Sequence, residues 1–174
     1  DLNNINLCLG IGRLITNDNT ENQPFVKDGI SIFHNGIIVN DNEIFKKENI
    51  QRFSKLDTEV FHAIINKYKK TKDLKALYDL IMKKCKGTFS IAVVFHEKGK
   101  LLLCSNHGSL YCGTKNNTFI FSSERYHLAK IMCKEIEKVC EQFKIFSIPK
   151  SKPSEVFCED FKINRVALVP NSNF

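Results

Sequence analysis

In the stretch FHNGIIVN, Phe33 to Asn40, the residues His34, Asn35 and Gly36 interrupt an otherwise apolar run. The Asn35 side chain and the Gly36 backbone N–H can aim two donors at one point, as a developing oxyanion requires, and glycine allows the sharp backbone that bares its amide. Upstream, Arg13 offers a forked, permanently charged donor suited to a carboxylate, with the Thr16 hydroxyl three residues on. Asp57 carries the opposite charge, for a cationic group. Each residue also has a plainer reading. HNG fits a type I′ turn with asparagine and glycine at positive φ, Asp57 fits a helix cap, and Arg13 fits a surface ion pair. Taken singly, the plainer readings are the better ones.

These residues sit in a chain of 174 residues, long enough for one domain with a real core. Hydrophobic content of 43% with 14 Phe argues against disorder, and no unbroken apolar segment approaches the roughly 20 residues that a membrane helix needs. A soluble globular protein with no membrane partner is expected. The chain opens on Asp1 with DLNNINLC, which lacks the basic start and apolar centre of a secretion signal, and it reads as cut at its start. Seven cysteines without a CxxC pair suit reduced, buried thiols in a cytoplasmic protein, so no metal and no other cofactor is expected. The net charge of +7 comes mostly from scattered lysines, densest in Asn66 to Lys75 and Met82 to Gly87. Without an Arg-rich stripe or an interleaved aromatic row, these read as solvated helix faces, and no nucleic-acid partner is expected.

The elements that must position the polar residues follow from periodicity. NLCLGIGRLIT (Asn6 to Thr16) reads as a strand, NDNTENQPF as a turn-rich loop, and GISIFHNG as a second strand running into a turn. DTEVFHAIINKYKK (Asp57 to Lys70) places Val60, Phe61, Ile64 and Tyr68 on one helical face, with Asp57 set to cap its start and Glu59 to favour the helix dipole. A second helix runs through Leu74, Leu77, Leu80 and Ile81. From Gly87 the period changes to two: GTFSIAVVFH, LLLCSN, SLYCG and TFIFSS form an antiparallel meander, ERYHLAKIMCKEIEKVC (Glu124 to Cys140) resumes helical spacing, and KIFSIP is a last strand. Residues 1–150 form the domain and residues 151–174 a C-terminal tail or linker. Helices in succession, then strands, then a helix, describe an α+β domain.

Four signals occur in order, GRLIT, ENQPF, HNG and LDTEV, followed by CKGTFSIAVVF, SNHGSLYCG and FIFSSERYHL. In that order, from Gly10 to Leu128, the chain resembles the glutaminase domain of class II glutamine amidotransferases, a family of N-terminal nucleophiles that includes glucosamine-6-phosphate synthase, amidophosphoribosyltransferase and asparagine synthetase. The joint order reverses the odds on the single residues. The resemblance implies a four-layer α/β/β/α sandwich of two antiparallel sheets, here without its first strand or strands. It implies L-glutamine as substrate and an acceptor (synthase) domain or subunit as partner. It assigns Arg13 and Thr16 to the substrate carboxylate, Asp57 to the α-amino group, and Asn35 with Gly36 to the oxyanion hole. His34 braces that loop, because in this family the nucleophile's own α-amino group is the base. LDTEV and HNGII are similar to the sugar-phosphate branch, QPF and SSE to the other two. The sugar branch's tryptophan and histidine are Leu14 and Asn17 here.

The family's nucleophile is a terminal cysteine on a strand far upstream of the arginine motif. Only twelve residues precede Arg13, and Cys8, in the strand leading into GRLIT, reads as a core residue. Two expectations follow. Either the parent enzyme hydrolyses glutamine to glutamate and ammonia through a cysteinyl thioester on a residue outside this chain, or the domain is a degenerate, non-catalytic module that binds an amino acid or a protein partner.

Overall fold

A computed structural model describes residues 7–12, 23–68, 73–106, 109–116, 118–148 and 150. The first hairpin forms at Asp28 and Gly29, both at positive φ (51° and 73°), the pattern of a two-residue type I′ turn. It joins β1 (Phe25–Lys27) to β2 (Ile30–Ile38), with Lys27 facing Ile30 and Phe25 facing Ile32. HNG is therefore not a turn: β2 continues through it to Ile38, and the turn chemistry lies seven residues earlier.

Three helices follow, α1 (Asp41–Glu48), α2 (Glu59–Lys67) and α3 (Leu74–Lys84). The first was not anticipated, because only Ile44 and Phe45 of its eight residues are buried and its apolar face is too narrow to register as a period. Asn49, at φ 51°, closes it in the left-handed conformation. Asp73 caps α3 by accepting the Lys75 amide at 2.8 Å. The three helices are bound through Glu48, whose carboxylate meets the Lys67 ammonium at 2.6 Å, the Lys84 ammonium and the Tyr68 hydroxyl.

The strands β3 (Gly87–Phe95), β4 (Lys100–Ser105), β5 (Tyr111–Lys115), β6 (Thr118–Ser122), β7 (Lys134–Lys138) and β8 (Gln142–Ser147) do not make one meander. The chain leaves the first sheet after β4, giving a five-stranded sheet ordered β1-β2-β3-β4-β8 and a three-stranded sheet ordered β6-β5-β7. β3 explains why its sequence is almost continuously apolar: Ile91, Val93 and Phe95 pack with Val60, Phe61 and Ile81 of the helices. Ala92 and Val94 pack on the other face with Cys112 and Val139 of the second-sheet region. A strand buried on both faces has no polar alternation to show.

The helix expected over Glu124 to Cys140 is only α4 (Arg125–Lys130). Met132 turns to φ 58°, and the Cys133 amide reaches back to the Leu128 carbonyl at 3.0 Å, ending the helix. The following KEIEK then alternates as β7, pairing with β5, with Ile136 half-buried between exposed charges. Residues 7–12 are not a strand, and Cys8 is exposed rather than part of the core. No helix among the described residues is long and apolar enough to cross a membrane.

Candidate functional site

In an antiparallel ladder, successive residues turn their backbone groups to opposite neighbours. The ladder between β2 and β3 is bounded by His96 N–H donating to Gly29 O at 3.1 Å and Val39 N–H to Lys86 O at 3.0 Å. By that alternation the odd-numbered residues of β2 bond toward β3, and the amides of His34, Gly36 and Ile38 face the opposite edge. β1 covers that edge only as far as Ile32. Beyond it, side chains take over. Gln23 Oε1 accepts the His34 amide at 2.7 Å, and Asp57 Oδ2 accepts the Ile38 amide at 2.8 Å. The Gly36 amide lies between these two, roughly 7 Å along the strand from each at the usual rise.

Gly36 has to be glycine. Its φ is +135°, and a Cβ there would lie 2.1 Å from the Thr88 carbonyl oxygen. Asn35 and Ile37, on the face that Phe33 turns toward the second sheet, are exposed, Ile37 by 67%. The stretch IIV thus does not return wholly to the core: Ile38 is buried, while Ile37 and Val39 are not.

His34 is on the helix-facing side and its ring is fully buried. Nδ1 lies 3.2 Å from Thr58 Oγ1 and 3.7 Å from Asp57 Oδ1, and the ring meets Phe61 edge-on at 5.1 Å. Nε2 is buried without a hydrogen-bond partner. His34 thereby joins β2 to the start of α2. Asp57 does not serve as the expected helix cap. Thr58 takes the N-cap position, and the Asp57 carboxylate is turned to the β2 edge with 27% of its side chain exposed. Burial pushes the Asp57 carboxyl up, but the His34 ring and the Ile38 amide outweigh it and hold the pKa below its ordinary value.

Glu59 does not act on a solvated helix end either. It is 2% exposed, and its carboxylate accepts the Phe53 amide at 3.0 Å and the Ser54 amide at 2.7 Å, tying down the loop that leads into Asp57. The Lys27 ammonium lies over the Phe53 ring at 3.0 Å, linking that loop to β1. Gln23, Thr58 and Glu59 went unassigned or misassigned in the sequence. QPF and LDTEV marked their positions, but a side chain that accepts a main-chain amide has no spacing rule to reveal it.

The structure brings Asn35, Gly36, His34 and Asp57 to one edge of β2, while Arg13 and Thr16 lie outside the described residues. The thiols of Cys85, Cys104 and Cys112 are pushed up by burial, Cys85 to about 12 and Cys112 to about 11, so none supplies a thiolate at neutral pH. A separate groove of about 570 Å³, lined by Gly113, Phe119, Glu137, Lys144 and Phe146, includes none of the β2-edge residues. Among the described residues no three His, Cys, Asp or Glu side chains gather into a possible metal site.

The profile of the glutamine amidotransferase domain family matches residues 12–130. A 7-cyano-7-deazaguanine synthase of Saccharolobus solfataricus is 33% identical over 115 residues, which is 62% of this chain and 24% of that protein. A glutamine–fructose-6-phosphate aminotransferase (isomerizing) of Chlamydia muridarum is 25% identical over 144 residues, 80% of this chain and 23% of that protein. The chain therefore spans about a quarter of these relatives. Among solved structures, the glutamine phosphoribosylpyrophosphate amidotransferase of B. subtilis, complexed with ADP and GMP, superposes with a TM-score of 0.56 at 16% identity. The match covers 75% of this chain and 32% of that one. Such a likeness speaks for the fold, the N-terminal-nucleophile hydrolase sandwich expected from the sequence.

Proposed function

Because this chain belongs to the glutamine amidotransferase domain family, we propose that it is the glutaminase part of a glutamine-dependent amidotransferase. Its work is to hydrolyse L-glutamine to glutamate and ammonia and to feed the ammonia to an acceptor domain or subunit. The observation that carries this reading is the row of amides on the β2 edge. Two of the three are occupied by Gln23 and Asp57, and the third belongs to a glycine whose backbone other residues rarely adopt.

In this reading the substrate amide carbonyl lies against Gly36 N–H and Asn35 Nδ2. A cysteine thiolate outside the 174 residues adds to the carbonyl carbon, and the charge that develops on oxygen is met by the two fixed donors. Collapse of the tetrahedral adduct breaks the C–N bond, and the nitrogen leaves as ammonia with the proton taken from the thiol. Water then cleaves the thioester to release glutamate. Asp57, ionised well below neutral pH, receives the substrate's α-ammonium, and Arg13 with Thr16 receives its carboxylate. His34 acts as brace rather than base, which agrees with its burial behind β2.

The test is interception of the thioester in the full-length protein. With glutamine and hydroxylamine, γ-glutamyl hydroxamate should form in place of glutamate. Glutamine binding by calorimetry without hydroxamate or ammonia would instead establish the non-catalytic module, and absence of both binding and turnover would reject the glutamine site.

A further inference from the structure

The function proposed above needs Gly36 N–H to be aimed, but among the described residues no strand pairs with this stretch of the β2 edge to aim it. β1 ends its pairing at Ile32, two residues before His34. There the Gln23 side-chain carbonyl replaces the missing backbone acceptor, taking the His34 amide at 2.7 Å, while Asp57 Oδ2 takes the Ile38 amide at 2.8 Å. The row is thus held at its first and third amides by side chains that arrive from different elements. Asp57 has a second task at the site, whereas Gln23 has none that the proposed chemistry requires.

We propose that Gln23 is a positioning residue of the oxyanion hole. Resting on the glutaminase reading, it acts through His34 N–H to keep the β2 edge in register with the substrate, so that the Gly36 amide points at the oxyanion. It touches neither the reacting carbonyl nor the nucleophile. Other contacts hold the strand in the fold: the pairing of β2 with β3 runs unbroken from Ile30 to Ile38, and the His34 ring is anchored at Thr58. Loss of the Gln23 carbonyl should therefore leave the sheet intact and loosen the alignment of one amide. A misplacement of the order of 1 Å at a reacting centre costs about 100-fold in rate.

The experiment uses the full-length protein with two near-isosteric substitutions. Gln23→Met removes the acceptor, and Gln23→Glu keeps an oxygen at the same reach. Gln23→Met should lower kcat for ammonia release by about 10- to 100-fold with KM for glutamine within twofold. Gln23→Glu should recover most of that loss. Backbone amide exchange should quicken at His34 in Gln23→Met and stay unchanged at Val93 on β3. Unchanged kcat, an equal loss in both variants, a loss confined to KM, or exchange quickened throughout the sheet would each overturn the inference. If the wild type itself releases no ammonia, the glutaminase reading fails. The exchange pattern then decides Gln23 separately: selective quickening at His34 supports its hold on the edge, and its absence rejects it.

Discussion

Replacing Gly36 by alanine tests whether the backbone at the β2 edge is as constrained as its geometry implies. The added Cβ would stand 2.1 Å from the Thr88 carbonyl oxygen and 2.9 Å from Phe89 Cα, where ordinary contact begins at 3.4 Å. The obstacle is main chain on a paired strand, so no side-chain rotation relieves it. Either β2 and β3 part locally by about 1.3 Å, or Gly36 abandons its φ of +135°, which an L-residue rarely adopts. Strain of this kind costs about 1–3 kcal/mol, and it is relieved by moving the amide that the proposed chemistry needs fixed. A donor moved out of reach costs about 100- to 1,000-fold in kcat. Steady-state ammonia release by full-length Gly36→Ala should therefore show kcat down by about 100-fold or more. Ile37→Ala, one residue on at an exposed position, serves as the control for the strand itself and should stay within about twofold. A Gly36→Ala enzyme with wild-type kcat would refute both the reading of the backbone and the assignment of its amide.

Other consequences concern charge. Asp57→Asn keeps an oxygen for the Ile38 amide but removes the charge, so KM for glutamine should rise about 10- to 100-fold with a smaller change in kcat, measured by the same assay. Because the Asp57 pKa lies below its ordinary 3.8, wild-type binding should show no Asp57 titration above pH 5, and calorimetry should find glutamine affinity falling only as pH drops through that lowered value. Glu48, held at about 2 by its hydrogen bonds to Lys67 and Lys84, should stabilise the junction of α1, α2 and α3 by about 1–2 kcal/mol after allowance for solvent screening. Its depressed pKa makes that contribution full above about pH 4.5 and lost as pH falls toward 2. Thermal unfolding of Glu48→Gln against wild type at pH 7 and pH 3 should show the gap narrowing, and a constant gap would place the effect in packing.

The parts of the fold that were legible in the sequence are those where burial has a period. Val60, Phe61 and Ile64 of α2 and Leu77 and Ile81 of α3 lie in the core as their spacing required. Periodicity is silent about which sheet a strand joins, so the meander hid the departure to the second sheet after β4. It also misled at Glu124 to Cys140, where Leu128 and Ile136 fit a helix but Met132 reverses the chain between them. At the candidate site, motif order singled out Asn35, Gly36 and Asp57, which the structure places along one edge of β2. What the sequence could not display was the backbone accounting. HNG has the composition of a turn, and only the side-chain acceptors of the His34 and Ile38 amides mark it as a strand edge.

In the proposed function the β2 edge serves as the oxyanion hole for glutamine hydrolysis. The most direct test is ammonia release from L-glutamine by the full-length protein compared with its Asn35→Ala variant. Wild type should release glutamate and ammonia in equal amounts, and the variant should lose about 100-fold or more in kcat while KM for glutamine stays within a few-fold. No ammonia from the wild type, or an Asn35→Ala effect confined to KM, would contradict it.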